Sequence, residues 1–381
     1  MSKSLMRIPF TGPLPPPILI PSGTSTLDGA RTALTNFLLP PGHNGVPKTV
    51  LLTGAGISVA SGLADYRGKD GTYTSNPKYR PVYYHEFLAS HQWRKRYWAR
   101  SFLGYPSLLS SKPNSSHRAV ASLDSLGILS SCITQNVDSF HPRSHPDLPT
   151  IELHGYLRSL LCLSCGTLHP RGAFQEDLAA LNPAWKSFLA SLLETGALST
   201  EDPKRREKLG YRTNPDGDAD VPDAPYTTFR YPPCPKCLKS PPTLKDGMQG
   251  KIYTDDDGAW NEKSNAGILK PNVIMFGESI PAQIKAAAED AINSADRMLI
   301  IGSSLATYSA WRLVKQAFDQ SMPIGVLNIG GVRKEEGFFP PESREIWEKA
   351  GNDGSYAYRA SVSSESVLPE VVEMLRRRLN G

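Results

Sequence analysis

Apolar residues in this chain gather in short runs that stop at glycine or small polar residues. "KTVLLTGAGIS", residues 48–58, is such a run followed by Gly54 and Gly56. It predicts a buried strand, a glycine turn and a helix start. "SSCITQNVD" (130–138), "ADRMLIIGSS" (295–304) and "PIGVLNIGG" (323–331) repeat the pattern. Between the runs the apolar period changes to that of a helix. Residues 281–295 place Ile284, Ala288, Ala291 and Ala295 on one face, and 306–320 do so with Trp311, Val314 and Phe318. Residues 366–379 align Leu368, Val371, Val372, Leu375 and Leu379. Strands alternating with helices predict an α/β fold, a Rossmann-like and mostly parallel sheet.

Two stretches break the alternation. Residues 75–125 are rich in aromatic and basic side chains and read as a helical module. Residues 156–245 carry two Cys-x-x-Cys pairs and read as a smaller zinc-binding domain, within which residues 199–226 are polar and proline-rich, as in a long loop. The expected division is an N-terminal extension at 1–45, a Rossmann-like domain from 46–155 and 270–381, the small domain at 156–245, and an insert loop at 246–269. No internal repeat is visible.

The 381 residues contain five cysteines, too few for a disulfide framework in a chain of this size. Cys132 falls in an apolar run and reads as a core residue. Cys162, Cys165, Cys234 and Cys237 have the spacing of a zinc site. His154 stands eight positions before the first pair. From the residues alone it is a metal ligand, a catalytic base or a satisfied loop histidine. The net charge of +5 is too mild to imply nucleic acid, and no apolar run approaches the roughly 18 residues of a membrane span. The first acidic residue is Asp28, which leaves Lys3 and Arg7 in an acid-free start like that of an organelle transit segment. "GPLPPPILIP" cannot continue an amphipathic helix, so a disordered tail is the other reading.

Ligands of open parallel sheets bind outside the carboxyl ends of the strands. Gly54 and Gly56 there permit close approach to a phosphate, although each also suits a tight turn. Gly62 comes too late for G-x-G-x-x-G, and "LADYRGKDGTY" is a polar loop, which disfavours a hydride-transferring dehydrogenase. Ser303, Ser304 and Asn328 can donate to phosphate or ribose oxygens, or cap helices.

"GAGISVASGLADYRG", "TQNVD", "ELHG", the two cysteine pairs, "KPNVIMFGE", "IGSSL" and "LNIG" occur in the order used by sirtuins. The chain resembles that family of NAD-dependent protein deacylases over roughly residues 46–380. "RYWAR", "CLSCGTLHPRG" and "LNPAW" resemble its class II branch, of the mitochondrial sirtuin-four type. The resemblance implies one structural zinc on the four cysteines, which frees His154 to be the general base, with Asn136 as a second catalytic residue. It implies NAD as co-substrate, with the pyrophosphate near Gly54, Gly56 and Ser303, the adenine ribose on Asn328, and the nicotinamide carboxamide on Asp138. Gln135 and Asn136 would orient the ribose and a water, and Tyr66 and Arg67 would shield the reacting face. Ala55, Ser58, Asp65, Val137, Gly302, Ser304, Ile329 and Gly330 complete the implied cofactor site. The acyl-lysine carbonyl oxygen would attack ribose C1′ as nicotinamide leaves. His154, neutral with a pKa near ~6.5, would then take a ribose hydroxyl proton.

The implied products are a free lysine, nicotinamide and O-acyl-ADP-ribose. The implied partners are acylated-lysine proteins, with neither membrane nor direct nucleic-acid binding expected. Val273, Phe276 and Gly277 would pair with the substrate backbone by strand addition. Tyr97 and Arg100 share a helix face and resemble the Tyr-x-x-Arg element of class III sirtuins that binds acidic acyl groups. Acyl groups other than plain acetyl, lipoyl or methylglutaryl-like, are therefore expected, although Arg100 could instead pair with a structural acid. The class II resemblance also allows mono-ADP-ribosyl transfer from the same NAD site, and it implies the mitochondrial matrix, with nucleus or cytoplasm as alternatives. A zinc-ribbon binding module is the non-enzyme reading. It needs basic and aromatic residues around the cysteines, which the flanks do not strongly provide.

Overall fold

The computed structural model describes residues 12–76, 79–194, 212–221 and 224–380. Its centre is a six-stranded, all-parallel sheet made of β1 (Thr49–Thr53), β2 (Leu129–Thr134), β3 (Thr150–Glu152), β9 (Arg297–Ile301), β10 (Ile324–Leu327) and β11 (Tyr358–Ala360), in the order β11-β10-β9-β1-β2-β3. β1, β9 and β10 are buried along their whole length. This explains why they read as continuous apolar runs and not as alternating ones. One face packs on helices Leu27–Leu38, Ser115–Ser125 and Ser364–Asn380, the other on Ala282–Asn293 and Tyr308–Asp319. The last three of these helices match the apolar periods of the sequence. Phe318 and Leu379, expected on buried faces, are each 37% exposed because they lie at helix ends.

The small domain holds β4 (Gly155–Cys162), β5 (Leu168–Pro170) and β8 (Leu269–Val273) in an antiparallel sheet ordered β5-β4-β8. β6 (Arg212–Thr213) and β7 (Ala219–Asp220) form a separate two-stranded ribbon. Residues 195–211 and 222–223, which hold most of the expected long loop, lie outside the described residues.

Three boundaries differ from the expected division. Residues 20–39 of the segment assigned to an N-terminal extension contribute to the core. Ile20 pairs with Arg359 at the β11 edge, and Leu34 and Phe37 are fully buried under the sheet. Its buried stripe was hidden by the prolines before it. The helix Ser115–Ser125, placed in the helical module, packs Ala119, Val120 and Leu123 into the main core. β8 belongs to the small sheet and not to the Rossmann unit. The expected insert loop is packed too: Trp260 is buried against Tyr231, with the Arg94 guanidinium 4.7 Å from its ring. A chain starting at residue 46 is therefore expected to lose several kcal/mol of stability, since each deleted large core side chain is worth about 2–5 kcal/mol. Thermal melting of that truncation against the full chain tests this. An unchanged midpoint would return the segment to a dispensable extension.

Candidate active site

The strand ends of the parallel sheet open into a cleft of about 1560 Å³, bounded on the far side by the small domain. Gly54 follows β1 and Gly302 follows β9, and the two loops touch. A Cβ on Gly54 would lie 2.8 Å from the Gly302 carbonyl oxygen, and one on Gly56 would lie 2.9 Å from both that oxygen and the Gly302 Cα. Gly302 itself has φ +62°. These glycines are thus required by loop packing, and the same closeness leaves bare backbone lining the cleft. Ala55, Ser58, Asp65, Tyr66, Arg67, Val137, Ser303, Ser304, Asn328, Ile329 and Gly330 line it as well.

Beyond β2 the "QNVD" stretch makes a hydrogen-bond network. The Gln135 amide donates to Thr53 O at 3.1 Å and to Ser303 Oγ at 2.7 Å, which ties the ends of β1, β2 and β9 together. Asn136 Nδ2 donates to Gly54 O at 3.2 Å and Ser58 Oγ at 3.1 Å. Ser58 Oγ donates to Asp138 Oδ2 at 2.7 Å, and the Phe140 amide donates to Asp138 Oδ1 at 2.9 Å. Burial holds the Asp138 carboxyl above its usual range, and those two bonds pull it back. The network presents fixed donors and one acidic acceptor to whatever enters.

His154 sits where β3 passes into β4, at the hinge between the two domains. Its carbonyl accepts from the Ile274 amide at 2.8 Å, just after β8. Its ring lies between the Gln135 carbonyl (Nδ1, 3.1 Å) and the Ser309 hydroxyl (Nε2, 2.8 Å). A carbonyl can only accept, so Nδ1 carries the proton and Nε2 holds the lone pair. Burial lowers the imidazole pKa to about 4, below the expected ~6.5, with the Gln135 contact opposing the shift. The ring is therefore neutral at any ordinary pH.

The four cysteines converge apart from this cleft. Their sulfurs lie within 4.8 Å of one another, with Cys162–Cys237 at 3.5 Å and Cys165–Cys234 at 3.9 Å. A tetrahedral zinc with bonds of about 2.3 Å needs sulfur separations of about 3.8 Å. Gly166, at φ +68°, turns the chain so that its amide donates to Cys162 O at 3.0 Å and closes the first knuckle. The set fits one structural zinc with no position open. A histidine does touch it, but that residue is His169, with Nε2 3.3 Å from Cys234 Sγ. His154 is no part of the cluster.

Val273, Phe276 and Gly277 line the cleft beside His154. Among the described residues β8 is an edge of the small sheet, paired with β4 on one side. The Phe276 carbonyl accepts from the Tyr84 amide at 2.9 Å.

Arg100 requires a correction. Tyr97 reaches the cleft wall, whereas Arg100 is 1% exposed and is not on that wall. Its guanidinium is 2.9 Å from Asp218 and 3.8 Å from Asp220. The acid it meets belongs to this chain. The two-stranded ribbon carries Asp218 there on the turn Asn214–Asp218, which the Asn214 side chain closes on Asp218 Oδ1 at 2.7 Å. The same turn brings Asp216 to the Tyr66 hydroxyl, which donates to it. Tyr73, Tyr79 and Asp216 line the cleft there, as do Thr307 and Ser309 at the start of the helix Tyr308–Asp319. The sequence reading missed all five. A proline-rich polar stretch gives no sign of folding back, and hydroxyls at a helix start read as caps.

Comparison with known proteins agrees with this geometry. The Sir2 family model matches residues 54–309. The chain is 38% identical to the NAD-dependent protein deacylase SIR4 of Batrachochytrium dendrobatidis, over 82% of this chain and 89% of that protein. It is 33% identical to the human NAD-dependent protein lipoamidase sirtuin-4, mitochondrial, over 76% of each. Among solved structures, one described as the structural basis for the mechanism and regulation of Sir2 enzymes has a TM-score of 0.56 at 22% identity, covering 93% of this chain and all of that one. A Sir2 homologue in complex with NAD has a TM-score of 0.51 at 21% identity, covering 91% and 94%. With its glycine loops, His154 hinge and Cys₄ cluster in that family's order, the chain belongs to the Sir2 family, the sirtuins.

Proposed function

We propose that this chain is an NAD-dependent protein-lysine deacylase that releases nicotinamide and O-acyl-ADP-ribose. The observation that carries the reading is His154: a neutral imidazole of fixed tautomer in the same cleft as the polar strand ends and an open strand edge. NAD supplies an electrophilic ribose carbon when bound. The chain's own residues do the rest. Gln135, Asn136 and Asp138 orient the nicotinamide-ribose end, Tyr66 and Arg67 keep water from it, and the bare backbone at Gly54, Gly56 and Gly302 leaves room for phosphates. His154 Nε2 accepts a ribose hydroxyl proton. β8 offers its outer edge to the substrate backbone, so that main-chain pairing binds and the acylated lysine side chain enters the cleft. Protein mono-ADP-ribosyl transfer remains the second reading, since it differs only in the nucleophile. Biotin-labelled NAD distinguishes the two: label on protein in place of O-acyl-ADP-ribose would favour transfer.

The acyl group proposed is larger than acetyl. The fungal and human relatives are named deacylase and lipoamidase, and the cleft is wide. Between lipoyl and methylglutaryl-like chains the charges favour the neutral one. Arg100 already has Asp218, and Asp216 faces the tyrosines of the cleft wall with its carboxyl pushed up to about 6 by burial and by Asp218. A second carboxylate brought there at neutral pH meets a like charge, and Arg100, the cation expected to receive it, is already paired with Asp218. A lipoyl-lysine peptide is expected to exceed a glutaryl one by at least about tenfold in kcat/KM, equivalent to about 1.4 kcal/mol. A steady-state panel of acetyl, lipoyl, glutaryl and methylglutaryl peptides measures this. Glutaryl turning over faster than lipoyl would restore the acid-binding role of Arg100.

We further propose residence in the mitochondrial matrix, supported by the names of the human and bovine relatives. Imaging the full chain with a C-terminal fluorescent tag tests it, and a nuclear or cytosolic signal would reject it.

A further inference from the structure

Ser309 sits in the first turn of the helix Tyr308–Asp319 and reaches back to the domain hinge, where its hydroxyl is 2.8 Å from His154 Nε2. The other ring nitrogen is committed to a backbone carbonyl that can only accept, so the serine must donate. The one lone pair with which His154 could take a proton is therefore occupied by a hydroxyl of the protein. We propose that Ser309 is a positioning residue for His154, one that fixes the ring's tautomer and plane and guards Nε2 until a substrate hydroxyl takes its place. The inference rests on the reading of His154 as the base.

A serine suits this task because its hydroxyl both donates and accepts. At rest its O–H points to Nε2. When a ribose hydroxyl takes over that hydrogen bond, the serine O–H turns away. The ribose proton then passes to Nε2, and the ring becomes an imidazolium with N–H groups on both sides. Nδ1–H stays on the Gln135 carbonyl. Nε2–H can now donate to the Ser309 oxygen, which has changed from donor to acceptor without leaving its place. No atom is gained or lost beyond the one proton moved from ribose oxygen to nitrogen. The side chains of this network otherwise give the ring no carboxylate: Gln135 contributes its main-chain carbonyl to the histidine, and its side chain is spent on Thr53, Ser303 and Thr307. Among the described residues the serine is thus the one side chain bonded to the ring that can answer a change in its charge. Its position is set by a helix and not a loop, so the contact is held by the packing of Ala310, Leu313 and Val314 into the core.

The test uses the full chain as wild type, Ser309→Ala and Ser309→Thr, with two readouts. The first is the ¹⁵N signal of His154 Nε2 in histidine-labelled protein without ligand. In wild type and Ser309→Thr it should have the position of a nitrogen accepting a hydrogen bond, and in Ser309→Ala that of an unbonded one. The second is steady-state deacylation. Ser309→Ala should lower kcat about tenfold or more with KM for NAD changed less than about threefold, and Ser309→Thr should recover most of the loss. An Nε2 signal indifferent to Ser309→Ala would overturn the assignment, and so would equal impairment of Ala and Thr variants, which would mark a packing role. If wild type turns over no acyl peptide, the deacylase reading fails, and the Nε2 signal still decides whether Ser309 holds the histidine.

Discussion

His154→Ala is expected to lower deacylation by about 10² to 10⁴, the usual worth of a positioned general base, while zinc stays bound. The two effects separate because the ring touches Gln135 and Ser309 and none of the four cysteines. Folding should weaken only modestly, by about 1–3 kcal/mol, since a buried carbonyl and a hydroxyl each lose a partner. In the proposed reaction proton removal from the ribose comes after nicotinamide leaves, so acyl-peptide-dependent nicotinamide exchange should survive better than product formation. Parallel assays of exchange, deacylation and zinc content check this. Loss of zinc in the variant would make His154 a ligand. Full deacylation would move the base elsewhere in the cleft.

Cys162→Ala is expected to have the largest effect on stability. A closed Cys₄ site contributes its metal-binding free energy to folding, an apparent value of about 10–16 kcal/mol where a zinc peptide folds around its metal. Without one sulfur, three thiolates remain in a half-built tetrahedron. Cys162 also ends β4, whose other end begins at Gly155 beside His154. β4 pairs with β8 from Cys162↔Leu269 to Gly155↔Val273. Loosening the zinc knuckle should therefore fray the strand edge offered to substrate and lower activity indirectly, through KM for peptide more than through KM for NAD. Metal analysis with thermal melting should show substoichiometric zinc and a melting midpoint lowered by ten degrees or more. A metal-free protein of wild-type stability and activity would remove the structural role.

Four of the six parallel strands, β1, β2, β9 and β10, were legible in the sequence because strands buried on both faces are written as apolar runs, and the turns after them as glycine and small polar residues; β3 and β11, three residues each, are too short to show such a run. The cleft was legible for the same reason: Gln135, Asn136, Asp138, Ser303 and Asn328 follow directly from strand ends. What could not be read are contacts between segments far apart. Residues 20–38 looked like a tail because "GPLPPPILIP" breaks any period, although the helix after it fills the core. Arg100 looked like a ligand for acyl carboxylates because helix spacing shows which face a side chain takes and not what meets it there. The partner, Asp218, lies 118 positions away on a ribbon with no strand signature. Ser309, 155 positions from His154, carries no sign beyond that of an ordinary helix start.

The central claim is that acyl removal consumes NAD in this cleft. The most direct measurement incubates the full chain with NAD and a lipoyl-lysine peptide and follows all products by mass spectrometry. The account predicts free lysine peptide, nicotinamide and O-lipoyl-ADP-ribose in equal amounts, and none of them without NAD. Acyl release without NAD, or NAD consumption that yields ADP-ribosyl-protein and leaves the acyl-lysine intact, would contradict it.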